Sequence, residues 1–157
     1  MNPEVRIRPA TSADLEFVIS LMPRLVEFGP PAWRDPAQMT AHDTRVITES
    51  LLEPRPGAAV FVAEDEGGTP LGFIHLHADT EHYIHEEHGH VEDIIVAPAG
   101  EGRGVGRALL EKAEEWARER GYRWLTLNVF AENVRAREVY KRLGYGEDMV
   151  KYVKELA

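Results

Sequence analysis

The chain has 157 residues, a formal charge of −9 and no cysteine. That length is enough for one hydrophobic core, so a single domain over residues 1–157 is expected, and the acid excess argues against nucleic acid or anionic membrane as partners. Disulfides, thiolate metal sites and a cysteine nucleophile are excluded, and with no apolar run near the ~18 residues of a membrane span, and no signal peptide opening at Met1 to Val5, a cytoplasmic protein is expected.

Val5 to Arg8 alternates as a short strand that stops at Pro9. Thr11, Ser12 and Asp14 supply capping groups for a helix whose Leu15, Val18, Ile19, Met22 and Val26 share one face, and Pro23 should kink or end it. Phe28 to Pro36 reads as a loop, with Asp35 as N-cap and Pro36 in the first turn of a second helix reaching about Leu52. Ala58 to Glu64 and Leu71 to Ala78 then read as two strands joined by a glycine-bearing turn.

A histidine-dense stretch follows: His75, His77, His82, His85, His88 and His90. The spacing of His82, His85 and His88 invites a metal ion, because imidazole is a common ligand. The surrounding segment is polar and fixes no geometry, so solvated loop histidines and no metal are expected.

Val91 to Ala97 is an apolar, β-branched run halted by Pro98, Ala99 and Gly100. Gly102, Gly104 and Gly106 alternate with Arg103, Val105 and Arg107, after which Val105, Leu109, Ala113 and Trp116 recur at helical spacing as far as Gly121. Strand, glycine turn and helix N-terminus in succession make an anion site, since glycine lets the backbone approach a ligand and the first helical turn offers free N–H groups. A phosphate-bearing cofactor is the natural occupant. A Walker loop is excluded because Gly106 is followed by Arg107 and Ala108, and a dinucleotide fingerprint fails because its third glycine falls on Arg107 or Leu109. Arg123 to Phe130 reads as a strand, and a helix begins near Glu132 with Ala136, Val139, Tyr140 and Leu143 on one stripe. Met149 to Leu156 alternates weakly as a terminal strand. The pattern predicts an α/β protein with a central mixed sheet flanked by helices.

Glu101 to Gly106 resembles motif A of the GCN5-related N-acetyltransferases, Gln/Arg-x-x-Gly-x-Gly/Ala, matching at Gly104 and Gly106 and departing at Glu101. Asn133, Ala136, Tyr140, Gly144 and Tyr145 are similar to that family's second signature, Asn-x-x-Ala-x-x-x-Tyr-x-x-x-Gly-Phe/Tyr. The opening from Ile7 to Leu15 also looks like the usual start of these enzymes. The resemblance implies the acyl-CoA N-acyltransferase fold, acetyl-CoA as cosubstrate, and direct acetyl transfer to a primary amine of a small-molecule acceptor. A protein or peptide N-acetyltransferase and a non-catalytic CoA-binding module are the alternatives, and a homodimer is common in the family.

The same resemblance assigns residues. Backbone groups of Ile94, Ile95 and Val96 would pair with the pantetheine arm, with an N–H of Ile95 or Val96 serving the oxyanion. The backbone from Glu101 through Gly102, Arg103, Gly104, Val105, Gly106 and Arg107 would hold the pyrophosphate, although a carboxylate at Glu101 should repel it and the two arginines also read as solvated. His90 and Glu92, two apart on a strand, are the base candidates, with Glu92 preferred and Asp93 pointing away. Tyr140 would protonate the departing thiolate, or is a buried ring. Asn133 caps its helix and contacts the cofactor. Phe28 and Trp33 line an acceptor pocket or anchor their loop.

Overall fold

The structure, a computed structural model, describes residues 4–157, so Met1 to Pro3 of the opening segment lie outside the described residues. Its elements in order are β1 (Arg6–Pro9), α1 (Leu15–Leu21), α2 (Pro36–Leu52), β2 (Ala58–Glu64), β3 (Pro70–Thr80), β4 (Glu87–Val96), α3 (Val105–Glu119), β5 (Leu125–Leu127) and α4 (Val134–Arg142). The strands form one mixed sheet in the order β1-β2-β3-β4-β5, antiparallel except for the parallel pair of β4 and β5.

Local chemistry sets the boundaries. Pro23 lies in a 3₁₀ turn, Met22–Val26, that ends α1, because the ring cannot donate the next helical hydrogen bond. Asp35 caps α2 by accepting from the Ala37 N–H at 2.9 Å, with Pro36 in the first turn. Gly121, at φ +74°, follows the end of α3, and Gly144, at φ +95°, follows α4.

The sheet buries both faces. On one, Ile74, Leu76 and Val91 pack against Val105, Leu109, Ala113 and Trp116 of α3. On the other, Val62, Phe73 and Ile95 meet Val18 and Leu21 of α1 and Ile47 and Leu51 of α2. Phe73, Ile47 and Leu109 are fully buried, each contributing roughly 1.5–3 kcal/mol of transfer free energy.

Two irregularities of β4 shape the site. β5 pairs only with Gly89 to Val91, so from Glu92 to Val96 no strand among the described residues covers that edge of β4. The register with β3 also slips: His75 opposes Asp93 and Leu76 opposes Val91, leaving Glu92 as the extra residue of a bulge.

Three expectations change. β4 begins at Glu87, which makes His88 a strand residue, 7% exposed, instead of a solvated loop histidine. β5 spans three residues, not Arg123 to Phe130. Met149 to Leu156 forms no strand; Met149, Val150, Tyr152, Val153 and Leu156 are all exposed. Their apolar positions come in adjacent pairs, which supply no consistent face for a sheet to bury.

Candidate active site

The glycine turn after β4 is built for close approach. Gly102 and Gly104 have φ of +72° and +74°, a conformation open to glycine, and Gly104 is the N-cap of the 15-residue α3. The first N–H groups of α3 have no carbonyl partner within the helix, so they and the helix dipole face whatever sits beyond the turn. A Cβ at Gly102 would meet nothing within 4 Å, and one at Gly106 only Val96 Cγ2 at 3.7 Å, which leaves the mouth of the helix uncluttered. Gly72 and Gly100 hold the turn down from beneath: a Cβ on Gly72 would lie 2.7 Å from the Ile95 carbonyl, and one on Gly100 2.7 Å from that of Leu71.

The charges around this turn are arranged differently from the sequence expectation. Glu101 is paired with Arg24, so its carboxylate does not stand alone beside the anion site. Arg107 is exposed and bonded to Glu111 at 3.1 Å, one helical turn on, and the Arg103 guanidinium donates to the Ala99 carbonyl at 3.4 Å. On the uncovered edge Ile94 and Val96 turn their amide groups outward. Ile95, opposite Phe73 in the register that gives the Ala97 N–H to the Leu71 carbonyl at 2.8 Å, turns its own toward β3 and does not offer them to the edge, contrary to the sequence expectation. That edge, running into a helix N-terminus, fits a ligand that carries a pyrophosphate at one end and amides along an arm.

Beside that edge lies a floor of polar side chains. His77 and His90 oppose each other across β3 and β4, their rings 5.2 Å apart. His90 Nδ1 lies 2.7 Å from Thr126 Oγ1 of β5, and the Thr126 hydroxyl is 3.5 Å from the Gly89 carbonyl, to which it can only donate. When the Thr126 hydroxyl donates to Gly89, His90 Nδ1–H donates to Thr126 and the lone pair of the ring stands on Nε2. Burial, reinforced by the neighbouring His77, holds the His90 imidazole below its ordinary value.

His77 is the opposite case. Its Nδ1 faces the Ala78 carbonyl at 3.0 Å and its Nε2 faces Glu92 Oε2 at 2.8 Å. Both ring nitrogens meet acceptors, so a proton must lie between His77 and Glu92. Burial acts against the charged ring, but the Ala78 carbonyl and the Glu92 carboxylate outweigh it and raise His77 above its ordinary value. The bulge turns Asp93 onto the register of His75, with which it forms a buried contact at 3.8 Å, instead of away from the site. From α2, Asp43 overlooks this floor; burial and then Asp93 push its carboxyl up.

Tyr140 on α4 packs against the α3-side core, its ring 6.0 Å from that of Tyr145, and burial raises its phenol. Asn133 Oδ1 accepts from the Ala136 N–H at 3.2 Å and so caps α4. Phe28 is 61% and Trp33 49% exposed; Phe28 lines a 230 Å³ hollow with Glu132, Asn133, Val134 and Arg135, whereas Trp33 stacks under the Arg34 guanidinium. The loop of Phe28 is drawn close there, since a Cβ on Gly29 would sit 2.8 Å from that of Phe130.

The sequence places His77 in the histidine-dense stretch but does not mark it as a site residue, and it leads to neither Thr126 nor Arg24 at the site. The register of the β3–β4 hairpin, had it been counted back from the bulge, would have placed His77 opposite His90. Nothing in the spacing signals Thr126 or Arg24, which arrive from 36 and 77 residues away.

A mixed sheet whose fourth strand parts from the fifth, followed by a glycine turn and a helix N-terminus, defines an acyl-CoA N-acyltransferase fold. A profile described as the Acetyltransferase (GNAT) family matches residues 22–145, and the chain belongs to that family. An uncharacterized N-acetyltransferase of Methanocaldococcus jannaschii is 42% identical over 91 residues, 57% of this chain and 40% of that one. The aminoglycoside N(6')-acetyltransferase type 1 of Stenotrophomonas maltophilia is 32% identical over 104 residues, 64% of this chain and 67% of that one. The match to a streptothricin acetyltransferase of Streptomyces lavendulae spans 29% of that protein, so two of these curated relatives are covered over less than half their length. Among solved structures, a GCN5-related N-acetyltransferase from Ralstonia eutropha superposes with a TM-score of 0.72 at 26% identity, covering 95% of this chain and 98% of that one.

Proposed function

We propose that this chain transfers the acetyl group of acetyl-CoA directly to a primary amine of a small molecule, with the Nε2 atom of His90 as the base. Acetyl-CoA supplies the activated acyl thioester. The outward amide groups of Ile94 and Val96 on the uncovered edge would receive its amide arm, and the backbone from Glu101 to Arg107 its phosphates. Asn133, as the N-cap of α4, holds the adjoining helix end against the cofactor.

The observation that supports this choice of base is the 2.7 Å contact of His90 Nδ1 with Thr126 Oγ1, which occupies one ring nitrogen and leaves Nε2 for the acceptor. Glu92 is hydrogen-bonded to His77, which engages its carboxylate beside His90 and suits it to hold a cationic acceptor. An alkylamine with a pKa near 10 is almost wholly protonated at neutral pH, so His90 raises the reactive fraction by taking one proton, directly or through water. The N–H of Val96, which faces the uncovered edge, donates to the acyl oxygen as negative charge grows on it, that of Ile95 being turned toward Phe73 of β3. Tyr140, kept protonated by burial, returns a proton to the departing sulfur. Phe28, beside its hollow, and Trp33 shape the acceptor's approach.

The test is calorimetry with acetyl-CoA followed by thiol release across a panel of amines, aminoglycosides, sugar phosphates and peptides. Saturable thioester binding is expected for the native chain and for His90→Gln alike, with kcat/KM for a turned-over amine reduced about 10²–10⁴-fold in the variant. Absence of thioester binding by the folded chain sinks the reading.

A further inference from the structure

The two histidines of the polar floor share a feature that the proposed transfer uses in His90 and leaves unused in His77. In each ring Nδ1 is held by an oxygen, Ala78 O at 3.0 Å for His77 and Thr126 Oγ1 at 2.7 Å for His90. That is how metal-binding imidazoles are oriented, with an outer oxygen on one nitrogen and Nε2 left to coordinate. One ring nitrogen from each histidine and one Glu92 carboxylate oxygen all lie within 4.8 Å of one another. Ligands about 2.0–2.2 Å from a tetrahedral zinc ion stand roughly 3.3–3.5 Å apart, so side-chain rotation of about an ångström completes the set.

His77 Nε2 and Glu92 Oε2, at 2.8 Å, are already closer than that and need a positive species between them. A proton fills that position at this spacing, and a metal ion takes it by opening the pair slightly. All three residues sit on the paired strands β3 and β4, not on a loop, with Glu92 raised by the bulge. Two imidazoles and one carboxylate, leaving a further coordination position, are a donor set for zinc and its transition-metal neighbours, not for magnesium or calcium. His82 and His85, which the sequence spacing favoured, are exposed on the β3–β4 connection and outside this cluster.

We propose that His77, His90 and Glu92 form a binding site for a zinc-type divalent cation, whose occupation consumes the His90 Nε2 lone pair and silences acetyl transfer. The silencing rests on the base assigned above; the binding site does not.

Calorimetry or equilibrium dialysis of the untagged chain against Zn²⁺ and Mg²⁺ tests it. One Zn²⁺ and no Mg²⁺ per chain is expected, with affinity weakened at least about tenfold in His77→Gln and in Glu92→Gln, and unchanged when His82→Gln and His85→Gln are combined. Circular dichroism checks that each variant is folded, and the two independent ligand variants guard against one failing to fold. No binding, binding indifferent to both ligand variants, or binding lost with the loop histidines overturns the site. Zinc that binds as described yet leaves transfer untouched supports the site and removes His90 as the base. Transfer lost in His90→Gln, with no zinc bound to the native chain, does the reverse.

Discussion

Arg24, just beyond α1, donates to the carboxylate of Glu101 in the glycine turn, 77 residues away in sequence. The pair neutralises the one acidic side chain in the loop proposed to hold the phosphates. Arg24→Ala should therefore weaken acetyl-CoA binding by roughly fivefold, equivalent to about 1 kcal/mol at the upper end for a part-exposed pair, with little change in kcat. Adding Glu101→Gln should restore most of the loss, because it removes the uncompensated charge. A double-mutant cycle on the CoA dissociation constant reads the coupling directly; additive losses would mean that Arg24 acts on the ligand without Glu101.

Gly72 on β3 lies beneath the junction of β4 and α3. A Cβ there meets the Ile95 carbonyl at 2.7 Å and Val105 Cγ1 at 3.2 Å, so Gly72→Ala must push the uncovered strand away from the helix mouth. A stability loss of about 1–3 kcal/mol in urea denaturation is expected, together with weaker CoA binding. Gly68→Ala is the control: its Cβ meets nothing within 4 Å, so its cost is that of the φ of +82° alone and CoA affinity should hold.

Much of the frame was legible because local chemistry writes it: the Asp35 and Pro36 start of α2, the Pro23 stop, the glycine turn into α3 and the Asn133 cap each depend on neighbours in sequence. The site was less so. The bulge at Glu92 arises from the pairing of two strands, and residue alternation alone had set Asp93 facing away from the site. Thr126 and Arg24 reach the site through tertiary packing, which no spacing encodes. The expected terminal strand failed because β5, at three residues, offers little edge to template it and the segment's apolar residues share no face.

Asp14 ties the start of the chain to the sheet. Its carboxylate accepts from the two terminal guanidinium nitrogens of Arg8, at 2.8 and 2.9 Å, and from the Thr11 N–H at 2.8 Å, while Arg8 Nε bonds Glu64. The bonds from Arg8 outweigh burial and hold the Asp14 carboxyl below its ordinary 3.8. A carboxyl depressed in the folded state contributes stability that is present above its unfolded value and lost as pH falls through its folded one. Asp14→Asn, which keeps an acceptor for Thr11, should cost about 2 kcal/mol at pH 7. The gap from the native chain should narrow below about pH 4 and close in stronger acid. Urea denaturation of both chains at pH 7 and near pH 2.5 measures the difference; a gap constant with pH would show that the charge is not what stabilises.

Tyr140 and Tyr145 pack edge to face, but their hydroxyls should respond to deletion in opposite ways. The Tyr145 hydroxyl is buried without a hydrogen-bond partner among the described residues, and burial, with Glu114 next, pushes its phenol up to about 12. Removing an unsatisfied buried hydroxyl recovers its desolvation cost, so Tyr145→Phe should leave transfer intact and raise stability by up to about 1 kcal/mol. Tyr140 lies at the tyrosine of the family's second signature, and under the proposed mechanism deletion of its hydroxyl takes the proton from the departing sulfur. Tyr140→Phe should lower kcat about 10²-fold or more with the CoA dissociation constant unchanged, because the ring that packs against the core remains. Single-turnover acetylation alongside CoA calorimetry separates the two residues. A Tyr140→Phe chain that keeps full turnover would make this tyrosine a packing residue and leave the sulfur to be protonated from solvent.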